Sequence, residues 1–484
     1  MKKTFITGLI SYFFLAVLSF NTSAQEYKNY NLNKYYTPDI VRNGLDLNFG
    51  SSGSFLNQSE NRSYDQNVKD TINYGNTSGA LNSTFSTYKN TRKNESLLQL
   101  NLDLLGQMNN YNSKPIDPYS PNSSSLYSNE NLGLTYTNKF YNSAKQFISF
   151  GVTTRLSFSG GKTKTKDSDF INKTATSKDF FSDLAPFIGA GFGRIETVTD
   201  ARQAIYIVDD LSKRGVLTRQ LSNDEIFRFA QQISKVKNKR FLDARLHKID
   251  EISTVDSFFV NNNLLTKSDA AYFTSLYDNW ENGANFERNS GQVFEIQFSP
   301  NMHWYNIYNQ TDTLNGSSIW NRNKYSNYGI SLLFSYNYAK QVNLNWEKTA
   351  NASLSGSTGR IVNSSSSETF SEDSNKQDNG VIALNGSYSI GYYPSTRTHL
   401  SAKLSQNFVK NFVKSYYEET AYTNSFTSIT NLGFSAVYYV SPQLSLSGNA
   451  SVYNNYNKYT QSSGFERENQ LGCNFSAALK YSFY

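Results

Sequence analysis

Three histidines (His247, His303 and His399) and one cysteine, Cys473, are the side chains best suited to metal or acid–base chemistry. None has a second ligand at the short spacing that a zinc site uses. Nucleophilic catalysis needs a nucleophile beside a base that a third group orients. His399 and Ser401, two apart on one face of an extended strand, are the one weak hint of such a pair. Serine is so common in this chain that a serine near a histidine says little. There is no glycine-rich phosphate loop and no nucleotide motif. The expectation is a protein that is not an enzyme, with no catalytic, cofactor-binding or metal residues and no cofactor.

Two groups of charges have a functional reading. Asp103, Arg155, Glu295, Glu347 and Lys403 fall on the polar side of an alternating pattern. In a pore such charges tune solute selectivity, although ordinary solvation accounts for them equally. Lys235, Lys237, Lys239 and Arg240 form a basic run suited to anionic lipid or an acidic partner, or to a plain solvated helix face. The net charge of +7 is too dilute for nucleic acid.

The elements that position these residues follow from the pattern of the chain. Lys2 and Lys3, then apolar residues 5–20, then Thr22-Ser23-Ala24 read as a secretory signal peptide; its apolar run is short for a membrane anchor. Cys473 alone forms no internal disulfide. Beyond the signal, apolar and polar residues alternate one by one. Leu98, Leu100, Leu102 and Leu104 are one such set; Tyr328, Ile330, Leu332, Phe334, Tyr336 and Tyr338 are another. Period two marks a strand with one apolar face. A soluble sandwich would bury that face in a core, whereas a membrane barrel turns it to lipid. Strand length and aromatic pairs at strand ends (Tyr392 and Tyr393, Tyr438 and Tyr439, Trp304 and Tyr305) favour the barrel. The count is about 14 strands, six before residue 197 and eight after residue 289.

Short turns, as at residues 90–94, 142–145, 339–341, 394–398 and 441–443, alternate with long polar connections such as 57–76, 109–127 and 355–378. Barrels of this kind keep short turns on the periplasmic side. The sixth connection, 197–289, is helical and charge-rich, and its parity places it in the periplasm. Three capping patterns, Thr197 to Asp200, Ser222 to Glu225 and Thr266 to Asp269, predict at least three helices. Ile205, Val208 and Leu211, then Ile226, Phe229, Ile233 and Val236, then Leu242, Leu246, Ile249 and Ile252 give three apolar stripes, and Gly215 is a helix stop.

The signal peptide, the alternating strands and the aromatic-ended Leu479 to Tyr484 resemble bacterial outer-membrane barrel proteins, and the Asn, Tyr and Ser usage looks like barrels of the Bacteroidota. The resemblance is to the class. It implies an all-β transmembrane antiparallel barrel in the cell outer membrane of a Gram-negative cell, reached by signal-peptide export. It also implies outer-membrane lipid and the barrel assembly machinery as partners. The expected division is 1–24 signal peptide, 25–43 periplasmic lead-in, 44–196 first part of the barrel, 197–289 periplasmic helical insertion and 290–484 second part. The expected function is a porin-like channel for small solutes. The alternative is an envelope component whose insertion recruits a periplasmic protein.

Overall fold

The computed structural model describes residues 31–481 apart from 63–67, 115–121, 143–144, 167–171, 239–247, 314–315, 370–372, 418 and 462–463. The expected signal peptide, Lys239, Arg240, Leu242, Leu246, His247 and the last three residues lie outside the described residues. Fourteen strands form one antiparallel sheet in chain order, a transmembrane barrel. They are β1 (Ile40–Arg62), β2 (Val68–Asn90), β3 (Asn94–Lys114), β4 (Asn122–Tyr141), β5 (Gln146–Lys166), β6 (Asn172–Thr197), β7 (Asn289–Thr313), β8 (Ser318–Gln341), β9 (Trp346–Ser367), β10 (Asp373–Ser395), β11 (Thr398–Tyr417), β12 (Glu419–Tyr439), β13 (Leu444–Gln461) and β14 (Gly464–Tyr481). The curl of the sheet is visible in bonds between distant strands: Arg194 at the end of β6 donates to the turn between β2 and β3. Strands β1 and β14 are the edges at the seam, and no pairing between them is present among the described residues.

The apolar face points outward. Leu47, Phe49, Ile148, Ile188, Ile330, Ile382, Leu471 and Phe475 are exposed, Phe475 by 89%. A belt of this size on successive strands is not a water-facing surface; it is the lipid side of a barrel with a polar lumen. Trp346 against Tyr392 at one end, and Trp304 bonded to Tyr328 at the other, border the belt.

Most of the residues expected in long loops are in strands. The β1–β2 ladder runs through Arg62↔Val68, far into the stretch read as a loop. Ser52 and Ser78, and Asn57 and Asn73, bond across it. Above the lipid neither face has to be apolar, so the alternation fades while backbone pairing continues. The β6–β7 ladder carries a gap at mid-strand. Pairing stops at Leu184↔Met302 and resumes at Ile188↔Phe298, with Pro186 and Pro300 between. Neither proline has an N–H to give, and the Ser299 hydroxyl donates to the Pro186 carbonyl instead.

The insertion between β6 and β7 holds four helices: α1 (Thr199–Lys213), α2 (Asn223–Asn238), α3 (Lys248–Asn261) and α4 (Ala270–Asn282). Their shared core contains Ile205, Val208, Leu211, Ile226, Phe229, Ile233, Phe259 and Leu276. Leu32 and Tyr35, from the segment ahead of β1, are part of the same core. The third predicted stripe is met in part: Ile252 packs against the core, Ile249 is exposed, and Val255, Phe258 and Phe259 are the buried apolar positions of α3.

Of the three capping patterns, Ser222 and Glu225 form a reciprocal box. The Glu225 N–H donates to Ser222 Oγ, and the Ser222 N–H donates to the Glu225 carboxylate. Thr197 instead ends β6, and Val198 caps α1 without a side-chain bond. Asp269, not Thr266, caps α4 by accepting from the Tyr272 N–H. Gly215 stops α1 with φ +67, a left-handed position that suits glycine.

The Ser222 box makes one prediction about pH. Hydrogen bonds from Arg219 and then from Ser222 hold the Glu225 carboxyl down from 4.5 to about 2. A carboxylate depressed in the folded state stabilises fully above its unfolded pKa and loses that contribution as pH falls. Amide-exchange protection at the start of α2 is therefore expected to be constant above about 4.5 and to fall between 4.5 and about 2. A flat profile through that window, read by NMR, would contradict the box.

Candidate functional site

The lumen divides into a packed end, where the short turns and the insertion lie, and a solvated remainder. The division shows in the polar side chains themselves. Asp103, Arg155 and Lys403 are exposed on the lumen face, whereas Glu295 and Glu347 are buried at the short-turn end. The five charges therefore do not form one ring. Arg155 donates to Asn131 and lies over the Phe181 ring. Glu295 accepts from Ser149 at 2.6 Å and faces Lys139 at 3.4 Å.

Glu295 reaches Ser149 across an intervening strand because β6 carries glycines there. A Cβ on Gly191 would lie 2.3 Å from the Phe294 carbonyl and 2.5 Å from the Phe147 ring. Gly191→Val is expected to destabilise the barrel by about 1–3 kcal/mol, the range for overpacking. Loss of the heat-modifiable gel shift would report it. An unaltered melting temperature would show that this wall is not close-packed.

Two clusters converge on the packed mouth. One is built around Arg194, which donates to Thr91 and Arg92 carbonyls, pairs with Glu196 at 3.1 Å and lies over the Tyr141 ring. Tyr141 in turn donates to Glu95, and Thr37 donates to Glu196.

The other cluster joins the insertion to the barrel. Arg288, at the junction with β7, is fully buried. It pairs with Glu347 at 2.9 Å, donates to the Leu344 carbonyl and to Gln341, and stacks over Tyr393 at 4.1 Å. Tyr393 donates to the same Glu347. Arg202 of α1, also fully buried, lies 5.3 Å from the Tyr393 ring and donates to the Gly283 carbonyl. Burial pulls the Arg288 guanidinium down to about 10 and shifts Arg202 the same way. Two buried arginines thus lie over one tyrosine ring, with Glu347 paired to Arg288, an arrangement that costs charge solvation and is held by its hydrogen bonds. Phe286 packs on Tyr393, His399 and Tyr439, while Asp278 pairs with Arg397 in the β10–β11 turn. The helices are seated on the rim by these contacts with the short turns.

His399 is therefore part of an aromatic stack, 4.4 Å from Tyr393, and Ser401 bonds to Ser435 instead. The aromatic pairs at strand ends split, since adjacent residues face opposite ways: Tyr438 is exposed outward while Tyr439 lies against Phe286. His303 pairs with Asp183 on the lumen face, a contact that local spacing does not reveal. In the basic run, Lys237 pairs with Asp200 at 2.9 Å inside the insertion. Among the described residues no cluster of three or more His, Cys, Asp or Glu side chains could hold a metal ion.

No protein-family model and no curated protein matches the chain. Among solved structures it is similar to the toluene transporter TodX of Pseudomonas putida, with TM-score 0.28 and 8% identity over 93% of this chain and 95% of the transporter. It is also similar to the ferric yersiniabactin uptake receptor FyuA of Yersinia pestis, with TM-score 0.36 and 7% identity over 92% of this chain and 73% of the receptor. A third is the β domain of the Bordetella autotransporter BrkA, with TM-score 0.24 and 8% identity over 75% of this chain and 93% of the domain. At these scores no activity, substrate or partner transfers.

Proposed function

We propose that this protein is an outer-membrane channel for small hydrophilic solutes, with the helical insertion seated on its periplasmic mouth. The observation that carries the reading is the distribution of polarity. Apolar side chains cover the outside, Ser, Asn, Gly and Thr line the lumen, and the buried charged side chains Arg202, Arg288, Glu295 and Glu347 lie at the end that carries the insertion. Loop parity supports the periplasmic assignment of that end. Planar-bilayer recording tests it. Full-length protein is expected to conduct poorly, and protein with residues 198–288 replaced by a short Gly-Ser turn to conduct well. No current from either form would overturn the channel reading.

A second reading has one observation in its favour. Phe273 and Tyr277, one turn apart on α4, are exposed on the insertion. Such a pair suits a periplasmic partner protein. Affinity purification with and without the insertion tests it, and identical recoveries would remove its support.

A further inference from the structure

Two cavities lie on the lumen side toward the long-loop end, remote from the packed mouth. The first, of about 360 Å³, is bounded by Tyr305, Asn323, Tyr325, Asn363, Ser365 and Asn375. Lys324 and Asp373 also border it, one charge of each sign. The second, of about 380 Å³, is bounded among others by Tyr127, Thr163, Ser177, Asn309 and Thr311. Strand β7 runs between them, contributing Tyr305 to one and Asn309 to the other. Tyr305 and Tyr325 are register partners across β7 and β8, and Tyr127 borders the second cavity together with Asn309 of β7. Phe181 braces Tyr305 edge-on at 6.3 Å. Asn375 borders the first cavity, and its side-chain oxygen is buried in the wall with no hydrogen-bond partner.

We propose that these two cavities form a binding site for a neutral oligosaccharide, a chain of two or more sugar rings lying along Tyr127, Tyr305 and Tyr325. The site deepens the channel reading and rests on it for the route by which the solute leaves. Phenol rings offer flat apolar faces to the C–H faces of a sugar ring, while amides and hydroxyls offer both donors and acceptors to its hydroxyl groups. A hydrocarbon would leave the amides of Asn323, Asn363 and Asn375 without partners, which disfavours it. An ion would meet opposite charges of equal number. The cavities are each at the small end of the usual range for ligand sites, so one ring per cavity and a link over β7 fit the space.

Titration calorimetry on the full chain in detergent tests the site. The probes are glucose, maltose, maltotetraose, cellotetraose and chitotetraose, with a polyethylene glycol and tetraglycine of similar length as controls. At least one tetraose is expected to bind more tightly than its monomer, and the controls not to bind. Tyr325→Ala, Tyr127→Ala and Asn375→Leu are each expected to weaken that tetraose about tenfold, with heat-modifiable gel mobility showing that each variant is folded. Absence of binding by every saccharide, or binding unchanged in folded Tyr325→Ala and Asn375→Leu, overturns the proposal. Bilayer current through the insertion-deleted protein separates the two readings. Current without saccharide binding sinks the saccharide site alone. Saccharide binding without current supports the site and sinks the channel.

Discussion

Replacing Arg288 with methionine is expected to unseat the helical insertion from the mouth of the barrel. Methionine keeps much of the side chain's bulk and removes the charge. Glu347 would then stay buried without its 2.9 Å partner, and Gln341 and the Leu344 carbonyl would each lose a donor. Breaking a buried pair from one side costs about 3–5 kcal/mol. Each 1.4 kcal/mol is a factor of ten, so the undocked population should rise by roughly two to three and a half orders of magnitude. Bilayer conductance should rise accordingly, and proteolysis between α4 and β7 should become faster. Glu347→Leu in the same chain is expected to restore much of the seating, since the orphaned carboxylate is gone. Unchanged conductance and unchanged proteolysis in Arg288→Met would show that the buried pair does not hold the mouth.

The second large effect is expected inside the insertion. Phe229 is fully buried and meets Phe258 at 4.8 Å and Phe259 at 4.9 Å. Truncation to alanine should cost about 3–5 kcal/mol, the range for a buried phenylalanine. The barrel is held by a separate backbone ladder, so the loss should fall on the helices. Far-UV circular dichroism should show the helical signal melting earlier while the strand signal and the heat-modifiable gel shift persist. Simultaneous loss of both signals at a lower temperature would mean that the insertion and the barrel unfold as one unit. That outcome would point to Leu32 and Tyr35, which lead into β1 yet sit in the helical core.

The barrel and the place of the insertion are legible in the sequence because both are written in local periodicity. Leu98 to Leu104 alternate because one face of β3 meets lipid, and Ile226, Phe229 and Ile233 repeat because one face of α2 meets other helices. The packed mouth is not legible for the opposite reason. Arg288 finds Glu347 59 positions later in the chain, and Arg194 donates to Thr91 103 positions away. No spacing rule spans such distances. Tyr393 reads as a girdle residue like Tyr392, and only its parity on β10 separates a lipid-facing ring from one buried under Arg288. The two cavities escape for a related reason, since each draws on four strands whose polar residues look like loop.

The insertion begins and ends at paired residues. Thr197↔Asn289 closes the ladder of β6 and β7, and beyond it the Val198 N–H donates to the Arg288 carbonyl. Both tethers leave the barrel wall side by side, directly beneath the surface on which the helices sit. Undocking is therefore an intramolecular event, and the freed helices face the mouth at an effective concentration on the order of millimolar. Reclosure is set by that local concentration and does not depend on how much protein the cell holds. A soluble competitor for the mouth must outbind a tethered rival present at all times, whereas a molecule that holds the undocked helices elsewhere need only exceed their seating energy.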